Sequence, residues 1–262
     1  MNVILNRVLF ESWMVAAACA VLMLACWQFA FRIHRRSLAS LVTQEPSGGL
    51  IDEACLAILG LLLAFTFAAA FAKYENRNTK AAEDANALRA LHLRAELLPD
   101  PWRKELDGPV RALVSQRLEL TKPGFNEERI LTLYQEVMKT ETQILTVIRR
   151  MNQDKEASSY SSSVSDALSA VIVSRETRVA AGSEQVPPPV IGLLILVAGI
   201  CSYLLGRSQG ITGKLRRATI PLILLVSAIL YVTMDLEQPA RGLIPTNQAP
   251  IIRLAQSMGI TS

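Results

Sequence analysis

The sequence predicts an all-α membrane protein with four transmembrane helices and a helical extramembrane domain inserted between the second and third spans. The chain of 262 residues is 51% hydrophobic and only 19% charged, which is too apolar for an ordinary soluble domain. Its apolar residues are gathered in uncharged windows, each near the roughly 20 residues that a helix needs to cross a bilayer. The four windows are residues 12–31, 54–72, 185–206 and 218–234.

These windows, and the long polar stretch between the second and the third, define the predicted domains. Residues 1–72 hold the first two spans, 12–31 and 54–72. Residues 73–186 form the helical extramembrane domain. Residues 187–234 hold the third and fourth spans, 187–206 and 218–234, and residues 235–262 form a C-terminal tail.

The first window is predicted to be a retained anchor rather than a signal peptide. A signal peptide carries its positive charges before its apolar run. Here Arg7 stands alone before the window, whereas Arg32, Arg35 and Arg36 follow it.

The second window predicts a helix that continues beyond the membrane. Residues 54–72 carry no charge, and the next segment, KYENRNTKAAEDAN, is rich in helix formers and free of Gly and Pro. Nothing between the two segments breaks a helix. Asp52 and Glu53 suit its N-terminus, where the helix dipole favours negative charge.

Two stripes of side chains follow the membrane half of this helix. The small residues form a ridge on which another helix can approach closely in lipid. The large residues form a neighbouring stripe that either packs against helices and lipid or lines a pore and gates it by expelling water. The sequence leaves both interpretations open. The ridge is Gly60, Ala64, Ala68 and Ala72, and the pore-lining candidates are Leu63, Phe67 and Phe71.

The polar stretch predicts several amphipathic helices. Pro99 and Pro101 break the chain, and Asp100 is placed to cap the next helix, which Gly108 and Pro109 are expected to interrupt. Apolar residues at helical spacing predict further helices. These are residues 109–121, residues 126–151, a helix ending near Gly182, and a short helix at 251–258 in the tail.

Charge and motif content exclude several classes of function. Residues 73–187 hold 17 Lys and Arg against 17 Asp and Glu, so nucleic-acid binding, which needs a basic face, is not expected. The four cysteines lie in or beside apolar windows, and His34 and His92 are isolated, so no metal is expected. The sequence carries neither a nucleophile with a base nor a phosphate-binding loop. We therefore predict that the protein is not an enzyme and uses no cofactor.

The distribution of basic residues predicts an orientation in the inner membrane. The short loops 32–51 and 207–217 hold seven Lys and Arg, whereas the tails 1–11 and 235–262 hold three. By the positive-inside rule the two loops face the cytoplasm, and the helical domain is extracytoplasmic.

Three segments resemble the bacterial bestrophin-like membrane protein family. They are GLLLAFTFAAAFAKYENRNTKAAEDANALRALHLRAELLP (60–99), VSDALSAVIVSRETRVAAGSEQVPP (164–188) and MDLEQPARGLIP (234–245). The chain departs from the family pattern at Glu237-Gln238, where an Asp-Arg pair is commoner, and this weakens an ion-pair role there.

The resemblance implies a bestrophin-like architecture and an oligomeric anion channel. It implies a ring of about five subunits, chloride as the inorganic anion, and a pore lined by the second span. Tyr74 and Arg77 match a Tyr and an Arg near the start of the extramembrane part of that helix. In bestrophins the helical domain is cytoplasmic, opposite to the charge-based prediction. The alternative function is a non-conducting scaffold or signalling protein whose helical domain binds a partner. Membrane lipids are expected partners in either case.

Overall fold

The computed structural model describes residues 12–37, 49–121, 127–212, 219–238 and 244–260, and every element within these ranges is a helix. Four helices are long and apolar enough to cross a membrane, in agreement with the predicted number of spans; they are α1, α2, α6 and α7. The helices are α1 (Ser12–Ser37), α2 (Gly49–Glu96), α3 (Trp102–Glu119), α4 (Glu127–Met151), α5 (Ser158–Ser183), α6 (Pro188–Thr212), α7 (Thr219–Leu236) and α8 (Ala249–Ser257).

The chain divides into two compact units. Among the described residues, the span unit comprises 12–37, 49–73, 185–212, 219–238 and 244, and the helical unit comprises 74–121, 127–184 and 245–260. Helix α2 contributes to both, as expected from a sequence without a helix breaker between its two halves.

In the span unit, α1 packs against α6 and α7. Small residues on α6 permit this approach, because a Cβ atom added at Gly206 would lie 2.3 Å from the carbonyl oxygen of Trp27. Gly210, one turn further, is similarly close to His34 and Phe31. The core of this unit is formed by buried side chains from α1, α2, α6 and α7, among them Met23, Leu59, Leu194, Ile223 and Leu230.

Polar side chains also join the helices of the span unit. The indole N–H of Trp27 donates to Gln209 Oε1 at 3.2 Å, and Gln209 Nε2 donates to Thr219 Oγ1 at 2.6 Å. These bonds satisfy the buried amide of Gln209, which would otherwise be costly in an apolar environment.

In the helical unit, α3 packs against α4 and α8, and α4 packs against α5. The core includes residues of α2 as well, so the amphipathic faces predicted from the sequence are buried against one another. Fully buried core side chains include Leu88, Leu91, Leu106, Leu113 and Val171.

Two local predictions for α3 are wrong. The helix runs without a break from Trp102 to Glu119 and holds Pro109 in its interior. An internal proline costs ~3 kcal/mol, but each large side chain buried on either side of it contributes about 1.5–3 kcal/mol. Leu106, Val110 and Leu113 are all fully buried, which favours one continuous helix.

Asp100 does not cap α3. Its carboxylate instead contacts Arg103 Nε at 3.3 Å and Lys104 Nζ at 2.8 Å. The hydrogen bond from Lys104 is the main reason that the pKa of Asp100 lies below its usual value.

Candidate functional site

The membrane half of α2 has a buried side and an exposed side within one subunit. Leu59, Leu63, Thr66 and Ala70 are buried in the span unit. The buried hydroxyl of Thr66 donates to the carbonyl oxygen of Leu62, one turn earlier in the same helix, at 2.7 Å. The remaining surface of this segment is available to lipid or to a neighbouring subunit.

The three predicted pore-lining residues do not share one environment. Phe67 and Phe71 are 37% and 44% exposed, and their rings stack with centroids 6.3 Å apart. Leu63 is buried in the core of the span unit. Of the three predicted pore-lining residues, Phe67 and Phe71 are therefore the exposed pair.

The predicted ridge of Gly60, Ala64, Ala68 and Ala72 lies entirely on the exposed surface of the subunit. A Cβ atom added at Gly60 would meet nothing within 4 Å. The close helix approach inside the span unit instead uses Gly206 and Gly210 of α6.

The two family-motif positions lie where α2 enters the helical unit. Arg77 is buried and Tyr74 is half-buried. Beside them, Asn78 Oδ1 accepts a hydrogen bond from the backbone N–H of Asn247 at 2.8 Å. This bond ties the C-terminal segment to the first turns of the part of α2 that belongs to the helical unit.

Two acidic residues at the C-terminal end of α7 accept hydrogen bonds from the backbone. Glu237 Oε2 accepts a hydrogen bond from the N–H of Val186 at 2.6 Å, and Asp235 Oδ2 accepts one from the N–H of Ile244 at 3.1 Å. The carboxylate of Glu237 thus holds the residue that precedes the prolines at the entry of α6.

A network of buried charges crosses the helical unit around Asp84 of α2, whose side chain is fully buried. Its carboxylate accepts hydrogen bonds from Arg117 Nε at 3.2 Å, Arg178 Nη1 at 2.9 Å and Ser174 Oγ at 3.2 Å. These contacts join α2, α3 and α5.

A second buried carboxylate, Glu141 of α4, extends the network. It accepts hydrogen bonds from Arg175 Nε at 3.0 Å and Arg175 Nη2 at 3.3 Å. It also lies 4.0 Å from Arg117 Nη2. All four long helical segments of the unit therefore contribute charged side chains to one region.

A cavity of about 170 Å³ adjoins this network. Burial lowers the pKa of Arg117 in spite of the nearby carboxylates of Asp84 and Glu141, and burial raises the pKa of Tyr134. The positive charge of Arg117, which lines the cavity, is thus surrounded by little water. Its lining residues are Arg117, Leu120, Tyr134, Val137, Arg175, Arg178 and Val179.

This cluster of buried charges is not among the predicted sites, although the sequence carries a signal for it. Arg117 and Arg175 occupy positions in the helical stripes that Leu113, Val114 and Val171 otherwise fill. A charged residue in a core stripe requires a buried partner. The partner Asp84 belongs to another helix, so spacing along one helix cannot identify it.

The cysteines and histidines have ordinary structural environments. Cys201 Sγ donates to the carbonyl oxygen of Cys55 at 3.2 Å, and all four cysteines are free thiols. His34 Nδ1 lies 2.9 Å from the carbonyl oxygen of Ala30. Within the described ranges, no group of three or more His, Cys, Asp or Glu residues is placed to hold a metal ion.

Comparison with known proteins gives the family and the fold. The family model described as the Bestrophin-like domain matches residues 16–251. No curated protein matches the chain by sequence.

Solved structures share the fold at low sequence identity. A bacterial bestrophin homologue from Klebsiella pneumoniae, carrying a point mutation, is similar with a TM-score of 0.63 and 14% identity, over 95% of this chain and 98% of that one. A structure described as a membrane protein, also a point mutant, is similar with a TM-score of 0.60 and 15% identity, over 96% of this chain and 100% of that one. The family match over residues 16–251 confirms the resemblance found in the three sequence segments, and the chain belongs to the Bestrophin-like family.

Proposed function

We propose that this chain assembles into a ring of subunits in the bacterial inner membrane and conducts small anions such as chloride, with α2 lining the pore. Phe67 and Phe71 of each subunit form the narrow, hydrophobic part of that pore. The observation that carries the proposal is the exposed aromatic pair on the membrane half of α2, beside an equally exposed ridge of small residues.

The exposed surface of the spans supports assembly. Only 22% of the most apolar window of α1, and likewise of α2, is buried within one subunit. In a ring, the ridge of Gly60, Ala64, Ala68 and Ala72 contacts the adjacent subunit, because small residues let helices approach closely. The neighbouring stripe of α2 then faces the axis, where phenyl groups expel water and form a barrier to ions.

A second apolar surface supports assembly from the helical unit. Leu131, Met138 and Leu145 of α4 recur every seven residues and are 61%, 57% and 37% exposed. This spacing places them on one side of the helix, as in the seam of a coiled coil. A neighbouring copy of the chain is the proposed occupant.

Contacts of the C-terminal segment support a helical domain inserted between the second and third spans. Gln248 Oε1 accepts a hydrogen bond from Arg178 Nη2 at 3.1 Å, and the carbonyl oxygen of Met258 accepts one from Arg111 Nη1 at 2.6 Å. These contacts support the proposal that the residues before α6 and after α7 lie on the same side of the membrane, as two crossings require. From the charge distribution we propose that this side is extracytoplasmic.

The test compares two phenylalanines on the same helix. We expect Phe67→Ala to widen the constriction and raise the conductance in planar bilayers. Phe65→Ala is the matched control, because Phe65 is 66% exposed and lies about 160° around α2 from Phe67. Its removal should leave the conductance unchanged.

Assembly is measured separately by mass in mild detergent. Ala64→Leu, on the ridge, should reduce assembly because the added bulk prevents helices from approaching. Monomeric wild type, assembled wild type that carries no current, or assembled Phe67→Ala with unchanged current would contradict the proposal.

The alternative function is a scaffold whose helical unit binds another protein. The stripe of Leu131, Met138 and Leu145 favours it, since an unpartnered apolar stripe serves a foreign partner as well as a second copy. An assembled protein without conductance would support this alternative.

A further inference from the structure

We propose that the arginine-lined cavity of the helical unit binds a small free oxyanion of the phosphate or sulfate type. The guanidinium groups of Arg117, Arg175 and Arg178 and the hydroxyl of Tyr134 hold it. This site is separate from the proposed pore residues and does not depend on conduction.

The charges around the cavity leave it positive. Three guanidinium groups face two buried carboxylates, Asp84 and Glu141. Glu176 also contacts Arg175, at 2.9 Å, but its side chain is 63% exposed. Water screens that charge far more than it screens the buried groups. The interior therefore carries about one uncompensated positive charge.

Arg117 supplies a donor without a matching acceptor. Its side chain is 2% exposed, and within the described part of the chain its Nη2 has no hydrogen-bond partner. Glu141 Oε1, at 4.0 Å, is beyond hydrogen-bond distance. A buried guanidinium N–H left unsatisfied is costly. Arg117 Nη2 has almost no accessible surface, so the side chain must shift to present this donor to an oxyanion in the cavity.

The size and shape of the site suit a tetrahedral oxyanion. The volume of about 170 Å³ is roughly ten times the ~15 Å³ that one water requires. Side chains that carry donors line the cavity from three helices: Arg117 from α3, Tyr134 from α4, and Arg175 and Arg178 from α5. Such a lining suits a group with several oxygens, and guanidinium groups match oxyanions with paired N–H donors. Leu120, Val137 and Val179 line the rest of the cavity.

The cavity lining is exposed to solution at Val179, which is 40% exposed, and in part at Arg178. The side chain of Arg178 is 20% exposed, whereas those of Arg117 and Asp84 are almost fully buried. An anion from solution therefore meets Arg178 first and Arg117 last.

The test is titration calorimetry of the full-length protein in detergent with inorganic phosphate, at constant ionic strength set with sodium chloride. Wild type should show saturable binding. Arg178→Gln should weaken it by about 10- to 100-fold, and Tyr134→Phe by about 3- to 10-fold, as expected for the loss of a charged and a neutral hydrogen bond. Arg103→Gln is the matched control: it removes one arginine that pairs with Asp100 outside the cavity, and its affinity should equal that of wild type.

Circular dichroism without phosphate checks that each variant is folded. Tyr134→Phe keeps the aromatic ring and decides the outcome if Arg178→Gln does not fold. Three results would overturn the proposal: no saturable phosphate binding by wild type, unchanged affinity in folded Tyr134→Phe, or an equal loss of affinity in Arg103→Gln, which would indicate diffuse surface binding. Chloride that competes as well as sulfate at equal ionic strength would also overturn it, since the site would then be a halide site.

Discussion

At the scale of single residues, the absence of a side chain at Gly206 sets how closely α6 approaches α1. A methyl group there would overlap the backbone of Trp27, at 2.3 Å from its carbonyl oxygen and 3.0 Å from the Cβ of Ala30. Backbone atoms cannot rotate away as the end of a long side chain can. The helices must separate to admit the methyl group, and separation weakens packing over several turns.

Gly206→Ala should therefore destabilise the span unit by about 1–3 kcal/mol, as is typical of overpacking. Gly192→Ala is the matched control on the same helix, because nothing lies within 4 Å of a Cβ atom added there. Thermal unfolding in detergent measures both variants. Equal melting temperatures for the two variants would show that α1 and α6 do not pack through Gly206.

Because of Tyr134, the stability of the helical unit is expected to depend on pH in the alkaline range. Burial raises the pKa of Tyr134 above its ordinary value of 10.0, although Arg117 and Arg175 partly oppose the shift. The phenolate is therefore less stable in the folded protein than in the unfolded chain, and folding stability falls as the pH rises past 10.

We expect the stability of wild type to decrease more between pH 9 and pH 11 than that of Tyr134→Phe, which has no group to ionise there. Tyr160→Phe, on the exposed Tyr160 of α5, should follow wild type. Thermal unfolding at several pH values provides the measurement. A Tyr134→Phe variant that loses as much stability as wild type would argue against a buried phenol.

The sequence predicts that small residues form close helix contacts, but it does not predict which helices these residues bring together. A small-residue ridge was predicted on α2, whereas the close approach within the subunit occurs at Gly206 and Gly210 on α6. Membrane helices are apolar on every side, so spacing alone does not tell which small ridge meets which helix. For the same reason, the sequence assigns the exposed Phe67 and the buried Leu63 to one predicted pore-lining stripe.

At the scale of elements, α3 shows how burial overrides helix-breaking residues. Gly108 and Pro109 occupy adjacent interior positions, yet the helix continues through them. The predicted break at these residues reflects the local cost of glycine and proline alone. That cost is smaller than the gain from burying Leu106, Val110 and Leu113 against one core. The predicted helices at residues 126–151 and 251–258, which carry no such conflict, occur close to the expected bounds as α4 and α8.

Gly108→Ala should change the stability of the helical unit by less than about 1 kcal/mol, because two effects oppose each other. Alanine loses less backbone entropy on folding than glycine, which favours the variant by about 0.5–1 kcal/mol. Residue 108 precedes Pro109, however, and a proline ring disfavours the helical conformation of a preceding residue that carries a Cβ atom. Apart from its chain neighbours, nothing lies within 4 Å of a Cβ atom added at Gly108. Scanning calorimetry of the full-length protein measures the change, and a much larger destabilisation would mean that other groups cover residue 108.

At the scale of the whole molecule, the number of spans and the presence of a polar helical segment followed from the lengths of the apolar windows. The packing of the C-terminal segment into that helical unit could not be predicted in the same way. The contacts of Arg178 with Gln248 and of Arg111 with Met258 link residues 70 and 147 positions apart. Periodicity describes one helix at a time and carries no information about such pairs. Orientation likewise depends on loop charges rather than on packing.

The orientation can be measured by cysteine labelling in intact cells. On a background without Cys19, Cys26, Cys55 and Cys201, Ser162→Cys should react with an impermeant maleimide, because Ser162 is exposed on the helical unit. Ser208→Cys, near the basic loop after α6, should not react. The reverse pattern would place the helical unit in the cytoplasm, as in bestrophins.

The buried carboxylate of Asp84 also constrains how the chain is made. Its partners Arg117 and Arg178 lie 33 and 94 residues further on, so they leave the ribosome later. At about 5–20 residues per second, Arg178 follows Asp84 after roughly 5–20 s. During this interval the part of α2 that belongs to the helical unit must keep a charged group in water that it will finally bury. The helical unit is therefore expected to close only after α5 has been synthesised, rather than helix by helix during translation, and α8 then completes its core.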